Sequence, residues 1–325
     1  MAGCRWKNLE NLSSCINSDT LAADPASDIG AINNVKIIPL HDDPDILCLY
    51  HDDPDGQCSA AIVRRFYGDR ARMQAMEIGD PVPWEQIEAS DAIVLVDFSF
   101  DLETMERLAE SKHFVWVDHH VSALDTLGEA MAEVPGERRI DEAGCVLTWH
   151  TFYPDQPVPQ AVALIGDRDI WRMALKDTRY FGEGIYQREM DPTNDALWEP
   201  LLQDDGELVR ELVDEGRLLY DARLRAIKDA VERYGFEAEF EGLKTLAINH
   251  RGNGDMGEYI RDAGYKLAYC YMEAVRDGRR QTIVTLYSDQ VDVSQIARKY
   301  GGGGHKGAAG FQFERPGEPF PQPTA

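Results

Sequence analysis

Four apolar runs in this chain each stop abruptly in acids or histidines, and that pattern narrows the fold more than any other feature. Ile46–Tyr50 runs into His51-Asp52-Asp53-Pro54-Asp55-Gly56, and Ala92–Val96 into Asp97. Phe114–Val117 runs into Asp118-His119-His120, and Ala161–Ile165 into Gly166-Asp167-Arg168-Asp169. Short runs rich in β-branched and aromatic residues read as buried strands, the fourth equally as a helix. In an open α/β sheet, ligands bind just beyond the carboxyl ends of the strands. A parallel sheet would therefore gather these side chains in one crevice. Hard oxygen donors mixed with imidazole suit Mn²⁺ or a similar divalent ion. There are more carboxylates than one ion needs, and two ions about 3.5–4 Å apart clamp both oxygens of an in-line phosphoryl displacement.

These residues resemble the DHH phosphoesterases. HDDPDG (51–56), LVDFS (95–99), VDHH (117–120) and IGDRD (165–169) are similar to the family's four motifs in order, and GGGGHKGAAGF (301–311) to the signature of its accessory DHHA1 domain. The resemblance covers most of the chain. It implies a manganese-dependent hydrolase of phosphodiester or phosphoanhydride bonds, in the group of nano-RNA and RecJ-type nucleases, pAp phosphatases and cyclic-dinucleotide phosphodiesterases.

The fold expected is α/β and two-lobed, a mostly parallel DHH sheet and a smaller α/β DHHA1 domain joined by a helical linker. Residues 1–45 read as an extension, 46–205 as the metal-binding domain and 206–235 as the linker helix. Residues 236–313 read as the substrate-binding domain and 314–325, with its prolines, as a disordered tail.

His51, Asp53 and Asp55 alternate, so an extended segment would turn all three to one side, and Gly56 would let the chain turn into a helix beginning near Ser59. Many relatives use a register in which Asp55 and Gln57 would be the pair. The register Asp53-Pro54-Asp55-Gly56, similar to the nuclease branch, supplies two carboxylates and is preferred. Asp97 is the candidate bridging carboxylate, since Asp101 is the better cap for the following helix. Of the triplet, His119 is the candidate metal ligand. Asp118 would hold an imidazole in its binding tautomer, and His120 would face the substrate phosphate or leaving oxygen as donor or general acid. Asp167 and Asp169 compete for the fourth position, and the family pattern favours Asp167. The metal set is thus His51, Asp53, Asp55, Asp97, His119 and Asp167, for two divalent ions, Mn²⁺ first, with Mg²⁺ or Co²⁺ as alternatives.

In the second lobe, Gly302, Gly303 and Gly304 let backbone N–H groups approach an anion closely. His305 and Lys306 would add positive or donor character, and Arg298, a turn earlier on the expected helix, could reach the same pocket. Relatives carry an arginine in a pattern like LRS; here LYS (286–288) puts Tyr287 at that place, where it could stack on a base. Trp171 could line a base pocket or simply pack.

A formal net charge of −25 and no basic cluster argue against a long nucleic-acid partner, which needs a cationic track. A small phosphorylated nucleotide or short RNA fits better. Apolar runs fall short of the roughly 20 residues of a membrane span, the N-terminus lacks a secretory pattern, and six scattered cysteines without CxxC spacing point to a reducing cytoplasm. The expected activity is cleavage of short oligoribonucleotides or dinucleotides such as pApA to mononucleotides. A pAp-type phosphatase and a non-catalytic nucleotide sensor are the alternatives.

Overall fold

The apolar runs that end in acids become the central strands of a parallel sheet. In the computed structural model, which describes residues 44–276, 279–314 and 321–323, the strands β1 (Ile46–His51), β2 (Ala71–Met76), β3 (Ala92–Val96) and β4 (His113–Val117) lie in the order β2-β1-β3-β4. All three pairings are parallel. Strands covered on both faces read as continuous apolar runs rather than alternating ones, and β3 is buried at every position. The chain leaves β1 for β2 on one side and then crosses to β3 on the other, so a crevice opens at the carboxyl ends of β1 and β3.

Helices α1 (Pro54–Tyr67), α2 (Trp84–Ala89), α3 (Leu102–Ser111) and α4 (Val121–Leu127) follow the strands in turn. Then come α5 (Gly144–Phe152), α6 (Gln160–Asp169), α7 (Thr178–Ile185) and α8 (Asp195–Leu202). Ile46, Cys48 and Val94 face the core formed with α1 and α5 to α8, whereas Leu47, Leu49, Ile93 and Leu95 face α2, α3 and α4. Asp101 caps α3, accepting the Thr104 N–H at 3.0 Å. Helix α1 starts at Pro54, five residues before the expected Ser59. The cause is local: Asp53 accepts the Gly56 N–H at 2.9 Å as N-cap, and proline in the first helical turn needs no donor. The fourth apolar run is helix α6 rather than a strand.

Helix α9 (Gly206–Tyr234) carries apolar residues at helical spacing along its length. Val209, Leu212 and Val213 belong to the first core, while Ile227, Ala230 and Val231 pack with the second sheet. That sheet comprises β5 (Gly235–Phe240), β6 (Leu243–Asn249), β7 (Leu267–Arg276), β8 (Arg279–Tyr287), β9 (Gly303–Gly304), β10 (Ala308–Glu314) and β11 (Gln322–Pro323). Its order is β11-β5-β6-β7-β8-β10-β9, with only β6 and β7 parallel, joined through α10 (Gly254–Asp262). Helix α11 (Val293–Lys299) covers the opposite face. The architecture is two-lobed α/β with a helical connector.

Of the tail expected to be disordered, Glu314 closes β10 and Gln322–Pro323 pair with β5, because the β5 edge offers free backbone groups. Residues 1–43 of the expected extension lie outside the described residues. Among the described residues no helix is long and apolar enough to cross a membrane.

Candidate metal centre

Three strand ends and two helix ends bring the acids and imidazoles together. His119 Nε2 lies 3.2 Å from Asp97 Oδ1, 3.4 Å from Asp169 Oδ2 and 3.6 Å from Asp55 Oδ2. His51 Nδ1 lies 3.0 Å from Asp53 Oδ2 and 3.8 Å from Asp97 Oδ2. Asp97 therefore stands between two groups of donors, one with His51 and Asp53, the other with His119 and either His120 or, through His119, Asp55 and Asp169. That is the position expected of a carboxylate shared by two donor groups. Its φ is +54°, a left-handed backbone that costs energy for a non-glycine residue and is held here by the Asp97 N–H donating to Val117 O at 2.9 Å.

The donor set fits divalent cations. Asp97 is 1 % exposed, and neither of its carboxylate oxygens has a hydrogen-bond partner among the described residues. An orphaned buried carboxylate is costly unless paired with a cation. Burial, and then the charges of Asp55, Asp53, Asp169 and Asp118, push the Asp97 carboxyl well above its ordinary range. Burial and the charges of Asp55 and Asp53 push Asp169 up to about 8. Burial lowers His119, which keeps the imidazole neutral and able to donate a lone pair to a metal.

Asp55 does more than face the cluster. It sits in the first turn of α1 and accepts the N–H groups of Gly144 at 2.7 Å and Cys145 at 2.9 Å, so it also caps the start of α5. Gly144 leans on the site: a Cβ there would stand 2.9 Å from both Asp55 Oδ2 and Asp97 Cβ. Sequence reasoning missed Gly144, which belongs to none of the motifs.

Asp118 holds His120, not His119. Its Oδ1 accepts from His120 Nδ1 at 2.8 Å and from the backbone N–H groups of His119 and His120 at 2.7 and 3.1 Å. That bond raises the His120 imidazole above its ordinary value, and His120 is exposed toward the crevice.

Asp167 does not join the cluster, and Asp169 stands where Asp167 was expected. The Asp167 carboxylate is taken up by the N–H groups of Ala174 and Leu175, each at 3.0 Å, and by the Thr178 hydroxyl. Those hydrogen bonds outweigh its burial and hold its carboxyl below the ordinary value. Two residues along a helix turn through about 200°, so Asp167 and Asp169 leave α6 on opposite sides. Gln57 also points away, donating to Asp52 at 2.9 Å.

In the second lobe, Gly303–Gly304 pair with Gly310 and Ala309 as a short edge strand. Gly301–Gly304 line a cavity with Ile283, Thr285 and Phe311. His305 is exposed beside it. Arg298 is not among the lining residues; exposed on α11, it donates to Ser294 Oγ of its own helix at 3.3 Å.

No family model matches the chain. It is 28 % identical over 234 residues to protein R106 of Acanthamoeba polyphaga mimivirus, a stretch covering 68 % of this chain and 53 % of that one. It is 24 % identical over 243 residues to oligoribonuclease NrnB of Bacillus subtilis, covering 68 % and 59 %. The chain thus spans a little over half the length of these curated relatives. Among solved structures, the DHH domain of a protein assigned to a family of ribosomal proteins superposes with a TM-score of 0.55 at 14 % identity, covering 82 % of each chain. The fold is that of a DHH domain. In that fold, the acid- and histidine-bearing segments after β1, β3 and β4 and at the end of α6 come together in three dimensions.

Proposed function

We propose that the protein is a divalent-metal-dependent phosphodiesterase that cleaves dinucleotides and short oligoribonucleotides, such as pApA, to mononucleotides. One observation carries this reading: Asp55, Asp97 and Asp169 converge on His119 Nε2, and no lysine or arginine pairs with any of the three among the described residues. NrnB is named an oligoribonuclease, and the resemblance to it is in keeping with the chemistry of the donor set.

His51, Asp53 and Asp97 would hold one ion, and Asp55, Asp97, His119 and Asp169 a second, with Mn²⁺ the first candidate. Ions bound there supply the Lewis acidity that draws charge from a phosphate and makes water nucleophilic near neutral pH. The chain supplies the rest. Asp118 fixes His120 with Nδ1 as donor, which leaves Nε2 to hold the second proton of the imidazolium. The raised proton affinity of His120 suits a general acid that protonates the departing ribose oxygen. The second lobe, with its glycine loop, would hold the substrate away from bulk water.

The test is product analysis with Mn²⁺, Mg²⁺ or Co²⁺ on RNAs of two to five nucleotides, on pAp and on long single-stranded DNA. Mononucleotides from the shortest RNAs are expected. Fastest turnover of pAp would replace this reading with a phosphatase, and processive loss of long DNA at physiological salt would replace it with a RecJ-like nuclease. Nucleotide binding without turnover in any metal would leave a sensor.

A further inference from the structure

The alternation of β7 and β8 sends Tyr269, Val284 and Leu286 to the core under α11. Cys270, Met272, Ala274, Ile283, Thr285 and Tyr287 go to the other face, which α9 and α10 cover only at one end. There these residues line a cavity of ≈ 580 Å³ closed at its rim by His250, Arg251 and Gly252. That volume lies in the range of sites for nucleotide-sized ligands. The walls mix apolar side chains with the Thr285 hydroxyl and one phenol ring, Tyr287, and Arg251 makes the rim cationic.

The ring is held in place by its surroundings. A Cβ at Gly252 would stand 2.8 Å from Tyr287 Cε2, and one at Gly257 would stand 2.5 Å from Tyr287 Cβ, so two glycines let the loop and α10 close onto the tyrosine. His250 Nδ1 lies 2.7 Å from Arg251 O. Against a carbonyl that nitrogen must be the donor, which fixes the rim. Arg251 is exposed and has no carboxylate partner among the described residues, although this chain carries 58 acidic residues to 33 lysines and arginines. Arg251 and Tyr287 both line the cavity.

The rim also reaches the metal lobe. Trp171, two residues beyond Asp169, lies against Gly254, where a Cβ would be 2.4 Å from its Cη2. Hence the loop that carries Arg251 touches the segment that carries a carboxylate of the cluster. The cavity lined by the glycine loop adjoins on the other flank, sharing Ile283 and Thr285.

We propose that this cavity seats one nucleotide of the substrate, its base on the Tyr287 ring and a terminal phosphate on Arg251, so that the site selects short substrates by a phosphate other than the scissile one. The assignment rests on the phosphodiesterase reading above and extends it to residues that no motif marks. Arg251 and Tyr287 reach the same cavity from different segments, one after β6 and the other at the end of β8. A charge-assisted contact of this kind is worth about tenfold or more in affinity.

The full chain in EDTA, titrated with AMP and with adenosine by calorimetry, tests the seat apart from catalysis. AMP is expected to bind about tenfold or more tighter than adenosine. Arg251→Met is expected to erase that difference, while Tyr287→Leu weakens both ligands alike. With metal restored, Arg251→Met should bring the ratio of kcat/KM for pApA over ApA close to one, mainly through KM. Arg251 is exposed, and a far-ultraviolet circular dichroism spectrum checks that its replacement folds. Equal AMP affinity in wild type and Arg251→Met, alongside normal hydrolysis of pApA, would overturn the seat and leave the phosphodiesterase reading intact. Arg251-dependent AMP binding in a protein that hydrolyses nothing would overturn that reading and leave the seat.

Discussion

Two regions of this molecule bury several charges, and they do so in opposite ways. Between α6, α7, α9 and α10, Glu183 is 2 % and Asp255 5 % exposed, and arginines meet both. Arg168 and Arg223 reach Glu183, Arg223 and Arg179 reach Asp255, and Arg179 goes on to Glu258 at 2.7 Å. Beyond the strands, Asp55 and Asp97 are each 1 % exposed, and imidazoles and other carboxylates are their only charged neighbours among the described residues. A structural network carries its own counter-ions. The cluster keeps its carboxylates close together without them, and that difference, more than burial or acid count, separates a site from a scaffold.

The sharpest break between the two regions is the sign of a neutralising substitution. Asp97→Asn should cost turnover by about a thousandfold or more, because on the proposed reading it removes the carboxylate shared by two ion sites. In EDTA the same variant should melt higher than wild type, since it removes a buried repulsion. Glu183→Gln should do the reverse, losing about 3–5 kcal/mol in denaturant unfolding because Arg168 loses its carboxylate partner and Arg223 one of its two. If Asp97→Asn in EDTA melted lower and kept near-normal turnover at saturating Mn²⁺, the cluster would be another scaffold.

Asp167 and Asp169 repeat the comparison within one helix. Asp169→Asn should lower turnover by about a hundredfold while the chain unfolds as before, reading the loss of a charged donor. Asp167→Ala should lower stability by about 1–3 kcal/mol, because Ala174, Leu175 and Thr178 lose their acceptor. Bound metal counted by atomic absorption separates them, and equal metal loss from both would undo the distinction.

Much of this was legible in the chain, and the failures have a common physical cause. Strands β1, β3 and β4 and the residues at their ends follow from apolar runs and period-two alternation, as does the cap at Asp101. Alternation then misleads where the backbone becomes helical. Asp53 is a cap and Asp55 a first-turn residue, yet both reach the cluster because a strand end and a helix start meet there. At Asp167 and Asp169 the same habit treats residues two apart as equivalent, and the helix sets them on opposite faces. The register at Gln57 was resolvable from charge alone, whereas the tie at α6 needed the helix itself. Gly144 was out of reach, because its role depends on contacts with Asp55, 89 residues away. It offers a test of the cluster through packing only. Gly144→Ala would press a methyl onto Asp55 and Asp97 and should weaken metal binding about tenfold or more without changing any donor, as overpacked sites commonly cost about 1–3 kcal/mol. Unchanged metal affinity would mean the cluster is looser than its distances imply.

Smaller in size is the dependence of stability on pH when the metal is stripped. Asp169 has a folded-state pKa of about 8, and an unfolded aspartate lies near 3.9. Between those values the folded chain binds more protons than the unfolded one, so stability falls as pH rises through that window. Asp97 shifts in the same direction. The melting temperature in EDTA should therefore drop between about pH 5 and pH 8. Saturating divalent ion, which binds the deprotonated donors, should reverse the slope. A flat profile in EDTA would mean that the cluster's charges relax without an ion, as those of the arginine network do with theirs.

The smallest expected effect lies at Gln57. Were it a ligand, as the other register of the first motif requires, Gln57→Ala would remove an ion and most turnover. Its amide instead donates to Asp52 at 2.9 Å on the exposed side of α1, while Asp53 and Asp55 turn to the crevice. An exposed side-chain hydrogen bond contributes well under about 1 kcal/mol net, and alanine is the better helix former at such a position. Gln57→Ala should therefore leave metal stoichiometry and kcat within error and move the melting temperature by about a degree or less in either direction. Asp53→Asn, four residues earlier and the smaller change in shape, should lose an ion under the same conditions. The pair tests the boundary of the cluster at its outermost point. A Gln57→Ala protein that lost metal while Asp53→Asn kept it would move that boundary by one helical turn.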